Sequence, residues 1–156
     1  MSELDFRARA ALDEGVQVIA FSIGGELHGC DILLVSEVVS RLPVHPLPDM
    51  PPHLLGVVRL RGELVPVLDV ARALDLRLEA GRAPAVLVTG EEGARVGVAA
   101  DAVSDVMTVP PGAFRPAPRG GGYLVGVARV GEQLVNLIDL AEILRDQATL
   151  SHGEKP

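Results

Sequence analysis

The 21 residues from 54 to 74, LLGVVRLRGELVPVLDVARAL, return 70 positions later as LVGVARVGEQLVNLIDLAEIL, residues 124 to 144. Aligned without a gap, nine of the 21 pairs are identical: Leu54/Leu124, Gly56/Gly126, Val57/Val127, Arg59/Arg129, Leu64/Leu134, Val65/Val135, Asp69/Asp139, Ala71/Ala141 and Leu74/Leu144. A second block agrees at an offset of 68, where HGCDILLVSEV (28–38) matches VGVAADAVSDV (96–106) through Gly29/Gly97, Val35/Val103, Ser36/Ser104, Glu37/Asp105 and Val38/Val106. A chain that states one pattern twice builds two similar units, since two copies are too few for a solenoid. One asymmetry breaks the repeat. The first copy carries Arg61-Gly62 where the second has Gly131-Glu132.

Within each copy the local patterns read as a hairpin, a short element around V-S-acid-V, a proline-containing connection, a second hairpin and a short helix. VQVIAFSI (16–23) alternates and is rich in β-formers, Gly24-Gly25 fits a two-residue turn, and ELHGC returns. DILLVSEVVSRL (31–42) reads equally well as a short helix capped by Asp31 or as a strand, because periodicity does not separate them over so few residues. The five prolines of 42–52 force an extended crossover. Gly62-Glu63 fits a tight turn with glycine first, and Asp69 and Asp139 stand where helix caps belong. Short strands at this spacing predict small barrels, and a unit of about 70 residues is marginal alone. The expectation is therefore a mainly β protein of two small five-stranded β-barrel subdomains packed on each other, with short helices including a C-terminal one. The boundaries expected are a tail at 1–14, a first subdomain at 15–82, a second at 83–147 and a tail at 148–156.

Composition narrows the function. The chain is 48% hydrophobic and 22% charged, with net charge −7 and a pI near 5.0. An acidic chain without a basic stripe is repelled by phosphate backbones, and four scattered aromatics (Phe6, Phe21, Phe114, Tyr123) make no stacking platform, so nucleic acid is not an expected partner. No apolar run approaches the length of about 18 residues that spans a bilayer. The N-terminus mixes acids and arginines without an apolar core, so it does not read as a secretory signal and points to the cytoplasm, with no direct membrane insertion. Cys30 is the sole cysteine and reads as a small buried hydrophobe.

Catalytic patterns are missing. No G-x-S-x-G occurs, and Ser36 and Ser104 have no neighbouring histidine. No G-x-x-x-x-G-K cradles phosphate, and RGGGY (119–123) reads as a flexible turn. His28, His45 and His53 could join Asp31 or Asp49 around a metal, but no H-x-x-x-H sets them on one face, so hydrogen-bonded or surface histidines are expected. The carboxylates fall in turns and caps. The reading is a protein without catalysis, cofactor or metal. Interaction remains, through sheet edges and the groove between barrels. Arg61, held out at a strand end beside a turn glycine, suits an interface because its planar fork makes directed hydrogen bonds.

These residues resemble the CheW-like domains, the bacterial chemotaxis coupling proteins. GVVRLRGELVPVLDV is similar to their G-V-x-N-L-R-G and following V-P-V-x-D-L-like strand, and GCDILLVSEVV, VGVAADAVSDVM and FRPAP match further segments in order, over about 16 to 146. The resemblance implies a non-catalytic adaptor between the cytoplasmic tips of methyl-accepting chemoreceptors and the regulatory domain of the histidine kinase CheA, recruited to membrane receptor arrays. It implies that receptor tips insert an apolar helix between the barrels while the kinase docks barrel to barrel. By motif position it places receptor and kinase determinants at Val35, Glu37, Gly56, Arg61 and Gly62. Two departures stand out: Arg59 where the family has Asn, and a very short segment at 119–122, where the family often carries a second, lateral kinase contact. A parallel chemosensory pathway, in surface motility or second-messenger control, fits the same scaffold. From residues alone a small-ligand-binding β-barrel also remains open.

Overall fold

The computed structural model describes residues 15–117 and 122–153, with side chains described as far as residue 147. The tail at 1–14 and most of the short segment 119–122 lie outside the described residues. The described residues form eleven strands: β1 (Val16–Ile23), β2 (Glu26–Asp31), β3 (Val35–Val39), β4 (Leu54–Leu60), β5 (Glu63–Leu68), β6 (Ala85–Thr89), β7 (Val96–Ala100), β8 (Ala102–Val109), β9 (Phe114–Pro116), β10 (Leu124–Val130) and β11 (Gln133–Ile138). A 3-10 turn spans Ile32–Leu34, and two helices follow the repeated hairpins, α1 (Val70–Ala73) and α2 (Leu140–Gly153). The ambiguous 31–42 segment thus resolves into both readings. The Asp31 carboxylate accepts from the Leu33 N–H at 3.0 Å to cap the turn, and Val35 then enters a strand.

Mainly β architecture is as expected, but the sheets are not the halves of the chain. One sheet has the order β8-β1-β2-β11-β10-β9, and the other β3-β6-β7-β5-β4. Under the sequence repeat, β8, β1, β2, β11 and β10 correspond to β3, β6, β7, β5 and β4, so the two orders are one order. The ninth strand also has a counterpart, the lone bridge between His45 and Val57. Each opening hairpin has been handed to the other copy's sheet. β2 joins β11 in parallel at Gly29↔Leu137, and β7 joins β5 at Val67↔Gly97. A boundary at 82/83 therefore does not separate the sheets, because β1–β2 belongs with the second repeat and β6–β7 with the first.

The physical reason is visible at the joins. Gly29 and Gly97 are repeat partners, and a Cβ on either would press into the valines of the adjoining strands, Val18 and Val135 in one case and Val86 and Val67 in the other. Glycine at both positions lets these strands lie close without displacing those valines. The expected strand count holds for one sheet. The other has six strands, and in neither are the two outermost strands hydrogen-bonded to each other. Helix α2 also runs on to Gly153, past the boundary expected at 147.

Three apolar clusters follow from this arrangement. Val16, Val18, Val109, Phe114 and Val135 fill the six-stranded sheet, and Val58, Val65, Val67, Val86 and Val88 fill the five-stranded one. Between them lies the largest cluster, drawn from both sheets and both helices, with Phe21, Ile23, Leu87, Val98, Ile138 and Ile143 at 0–1% exposure. Burial at this level contributes about 1.5–3 kcal/mol per large side chain, so the seam between the sheets is a core and not a linker. Both caps form as expected. The Asp69 carboxylate accepts from the Arg72 N–H at 3.3 Å, and that of Asp139 accepts from the Glu142 N–H at 3.1 Å.

Candidate functional site

The turn between β4 and β5 holds Arg61 and Gly62, one residue earlier than the expected Gly62-Glu63. Arg61 has φ +48° and Gly62 φ +82°. A two-residue hairpin with both central residues left-handed matches the twist of its strands, and glycine or asparagine normally fills it. Arginine is a poor turn residue here, so its side chain must justify the position. In the second copy the turn is Gly131-Glu132, with the left-handed φ of +62° on glycine. That copy obeys turn chemistry and the first copy departs from it.

What the Arg61 side chain does is plain. Its guanidinium grips the Glu37 carboxylate with both terminal nitrogens, Nη1 at 3.2 Å from Oε2 and Nη2 on Oε1. Glu37 lies on β3, at one edge of the five-stranded sheet, whereas Arg61 ends β4, at the other edge. The pair therefore links the sheet's two margins as the sheet curls. Hydrogen bonding from Arg61, and then the charges of Arg61 and Arg95, hold the Glu37 carboxyl below the usual carboxylate range. The Arg61 and Glu37 side chains are 59% and 29% exposed, and exposed pairs add little to stability. The pair therefore orders two charges at the sheet margin more than it stabilises the fold. Beside them Glu63 binds Arg95 at 2.7 Å and accepts the Gly93 N–H at 3.1 Å, so a second pair braces the same tip.

Of the five determinants expected from the motif, the structure brings Glu37, Arg61 and Gly62 together. Val35 opens the same strand two residues before Glu37, half-buried against the inter-sheet core. Gly56 is apart from the tip, buried near the far end of β4 against the His45 segment. Arg59 stands exposed on β4.

A second feature was not read from the sequence. An open pocket of about 210 Å³ lies where α2 crosses the five-stranded sheet, lined by Leu54, Pro66, Leu68, Thr89, Val96, Leu144 and Gln147. Thr89 is the cross-strand partner of Val35, so the pocket borders the strand that carries Glu37. The histidines divide. His53 is buried and hydrogen-bonded or otherwise partnered, but His28 is 3% exposed with neither ring nitrogen in a hydrogen bond, contrary to the expectation. Burial lowers its pKa, opposed by the Glu26 charge and by the nearby Ile23 backbone. Cys30 is fully buried, as expected, and burial pushes its thiol pKa well up. Among the described residues no three histidines, cysteines or carboxylates converge on a metal position, and no helix is long and apolar enough to cross a membrane.

Ordered charges at an exposed sheet margin, beside an open apolar pocket, suit recognition of another protein. The fold and this surface define an interaction module. Residues 17–148 match the model of the CheW-like domain, and the chain belongs to that family. It is 30% identical over 139 residues to the chemotaxis protein CheW of Klebsiella aerogenes, covering 85% of this chain and 84% of that protein. It is 28% identical over 144 residues to the CheW of Treponema pallidum (86% and 85%) and 32% identical over 137 residues to protein FrzA of Myxococcus xanthus (83% and 85%). The crystal structure of the scaffolding protein TtCheW from Thermoanaerobacter tengcongensis superposes with a TM-score of 0.67 over 80% of this chain and 88% of that one, at 24% identity, which shows the shared fold. The chain is a chemotaxis coupling adaptor by family.

Proposed function

We propose that this chain is a non-catalytic coupler that joins the cytoplasmic tips of methyl-accepting chemoreceptors to the regulatory domain of the histidine kinase CheA, working in the cytoplasm at membrane receptor arrays. The observation that carries the reading is the tip itself. Residues 24 positions apart, Glu37 and Arg61, meet in an exposed fork-to-carboxylate pair on a turn that chooses arginine against its own backbone preference. Arg61, Gly62 and Glu37 form the kinase-facing surface, with Val35 leading from it towards the seam where a receptor helix would lie. Gly56, expected among the same determinants, supports this surface through the fold of β4. The test is capture of the kinase regulatory domain and of receptor tips from the same organism by the immobilised chain. Capture of both, reduced by Arg61→Ala without loss of fold, supports the proposal. Capture of neither by the wild-type chain refutes it.

A further inference from the structure

The pocket beside α2 has an explanation in the repeat. Thr89 and Val96 face each other across β6 and β7. At the offset of 68 their counterparts are Phe21 and His28, which face each other across β1 and β2. Those two rings lie with centroids 5.8 Å apart and are 0% and 3% exposed. One sheet thus fills this position with two rings. The other puts a threonine and a valine there and is left with a pocket of about 210 Å³.

Size and polarity specify what would fill it. A buried apolar cavity of about 150 Å³ admits a benzene ring, while pockets for whole drug-sized ligands run from about 300 Å³ upward. This pocket suits one ring. Its apolar walls are Leu54, Leu68, Val96 and Leu144. Its polar feature is Gln147, 9% exposed, whose Oε1 is buried without a hydrogen-bond partner. No lining group relieves it. The Thr89 hydroxyl donates to the Val96 carbonyl at 2.9 Å, and Pro66 has no N–H. A buried amide oxygen left unpaired is costly, and a donor arriving with the ring would remove the cost.

We propose that this pocket is the anchor site for a single aromatic side chain bearing a hydrogen-bond donor (tryptophan, tyrosine or histidine) on a protein partner, with that donor placed on Gln147 Oε1. The proposal rests on the adaptor reading and deepens it. Thr89 pairs with Val35, so a partner anchored here continues along β3 to the Glu37–Arg61 pair. Aromatic anchors seated in desolvated pockets dominate protein recognition, and a ring is the shape the other copy already buries at this position.

The test uses indole, which carries a donor, and 1-methylindole, which does not, titrated into the full chain and followed by NMR. Saturable shifts at Thr89, Val96 and Leu144 are expected with indole, with 1-methylindole weaker by about three- to tenfold, the worth of one hydrogen bond. Gln147→Leu should keep indole binding and lose the preference. Thr89→Phe, which installs the counterpart ring, should abolish indole binding at an unchanged or raised melting temperature, and should weaken capture of at least one partner by tenfold or more, by about the worth of an aromatic anchor. No shift with indole, equal binding of both probes by wild type, or a preference that survives Gln147→Leu overturns the site. Equal partner capture by wild type and Thr89→Phe overturns its anchor role while leaving the adaptor reading intact. Failure of wild type to capture any partner removes both.

Discussion

Gly56→Ala tests how the repeat is built. Gly56 lies at a bulge in β4, where the pairing with β5 shifts register, and its φ is +156°. A Cβ there would run into the carbonyl of His45 and the nitrogen of Pro46. Both are backbone, so no rotamer change relieves the collision. The neighbouring Val57 exchanges two hydrogen bonds with His45, at 2.8 and 2.9 Å, which tie the proline-rich crossover to the sheet. Overpacking of this kind costs about 1–3 kcal/mol, and loosening two hydrogen bonds adds about 1 kcal/mol each. We expect Gly56→Ala to destabilise the chain by about 3 kcal/mol, which at about 2–4 °C per kcal/mol for a domain this size lowers the melting temperature by roughly 6–12 °C. Gly62→Ala is the control: nothing lies near its missing Cβ, so only its left-handed backbone is penalised, at about 1–2 kcal/mol. Thermal melts followed by circular dichroism and calorimetry measure both. If Gly56→Ala melts within about 2 °C of wild type, a shift worth under 1 kcal/mol, the close approach is not a constraint and the reasoning fails.

Arg61→Ala and Glu37→Gln should leave the melting temperature unchanged and weaken partner capture about tenfold or more, since the pair is exposed and its charges are on offer; normal binding by either variant would show that the tip is not the docking surface. Fragments 1–82 and 83–156 should each fail to melt cooperatively yet regain the fold on mixing, because each sheet needs a hairpin from the other fragment; a cooperative melt from one fragment alone would refute the exchange. For His28, burial lowers the folded-state pKa below the ordinary value of 6.5, so the unfolded chain binds the proton first as pH falls. The stability due to neutral His28 is complete above about pH 6.5 and is lost as pH drops towards the folded pKa, so His28→Leu should flatten the acid side of the stability profile relative to wild type.

Much of this was legible locally. The hairpins, both aspartate caps and the mainly β class follow from patterns within about ten residues, and the pair of matching units from the repeat at offsets of 68 and 70. The hairpin exchange was not legible, because the repeat has the same internal order whichever sheet each hairpin joins. Only Gly29 and Gly97, identical at offset 68, hinted that some neighbouring strand comes close, and they do not say which. Arg61 stood out by breaking the repeat, but its partner lies 24 residues away on a segment that read equally as helix. The pocket was hidden for a related reason. It needs Leu144 and Gln147 from a helix that ran longer than its pattern suggested, although extending the offset-68 comparison upstream to Phe21/Thr89 would have flagged the loss of a ring.

The exchange also bears on what an adaptor needs. The chain passes between sheets twice near the seam, from β2 to β3 through the 3-10 turn and from β7 to β8 through Asp101 alone. The Asp101 carboxylate accepts from the Gly24 N–H at 2.9 Å and from the Glu79 N–H at 2.6 Å, pinning a hairpin of one sheet to a connection leaving the other. Two units joined by a linker could hinge, and partners held by each could drift. Here a hinge would have to pull β2 from β11 and β7 from β5, and expose Phe21, Leu87 and Ile138 at the seam. Those costs are of the same order as the stability of a whole domain. A tip at the margin of one sheet and a helix leaving the other are therefore held at a fixed spacing. A fixed spacing of this kind is what the proposed coupler needs to impose one geometry on its partners.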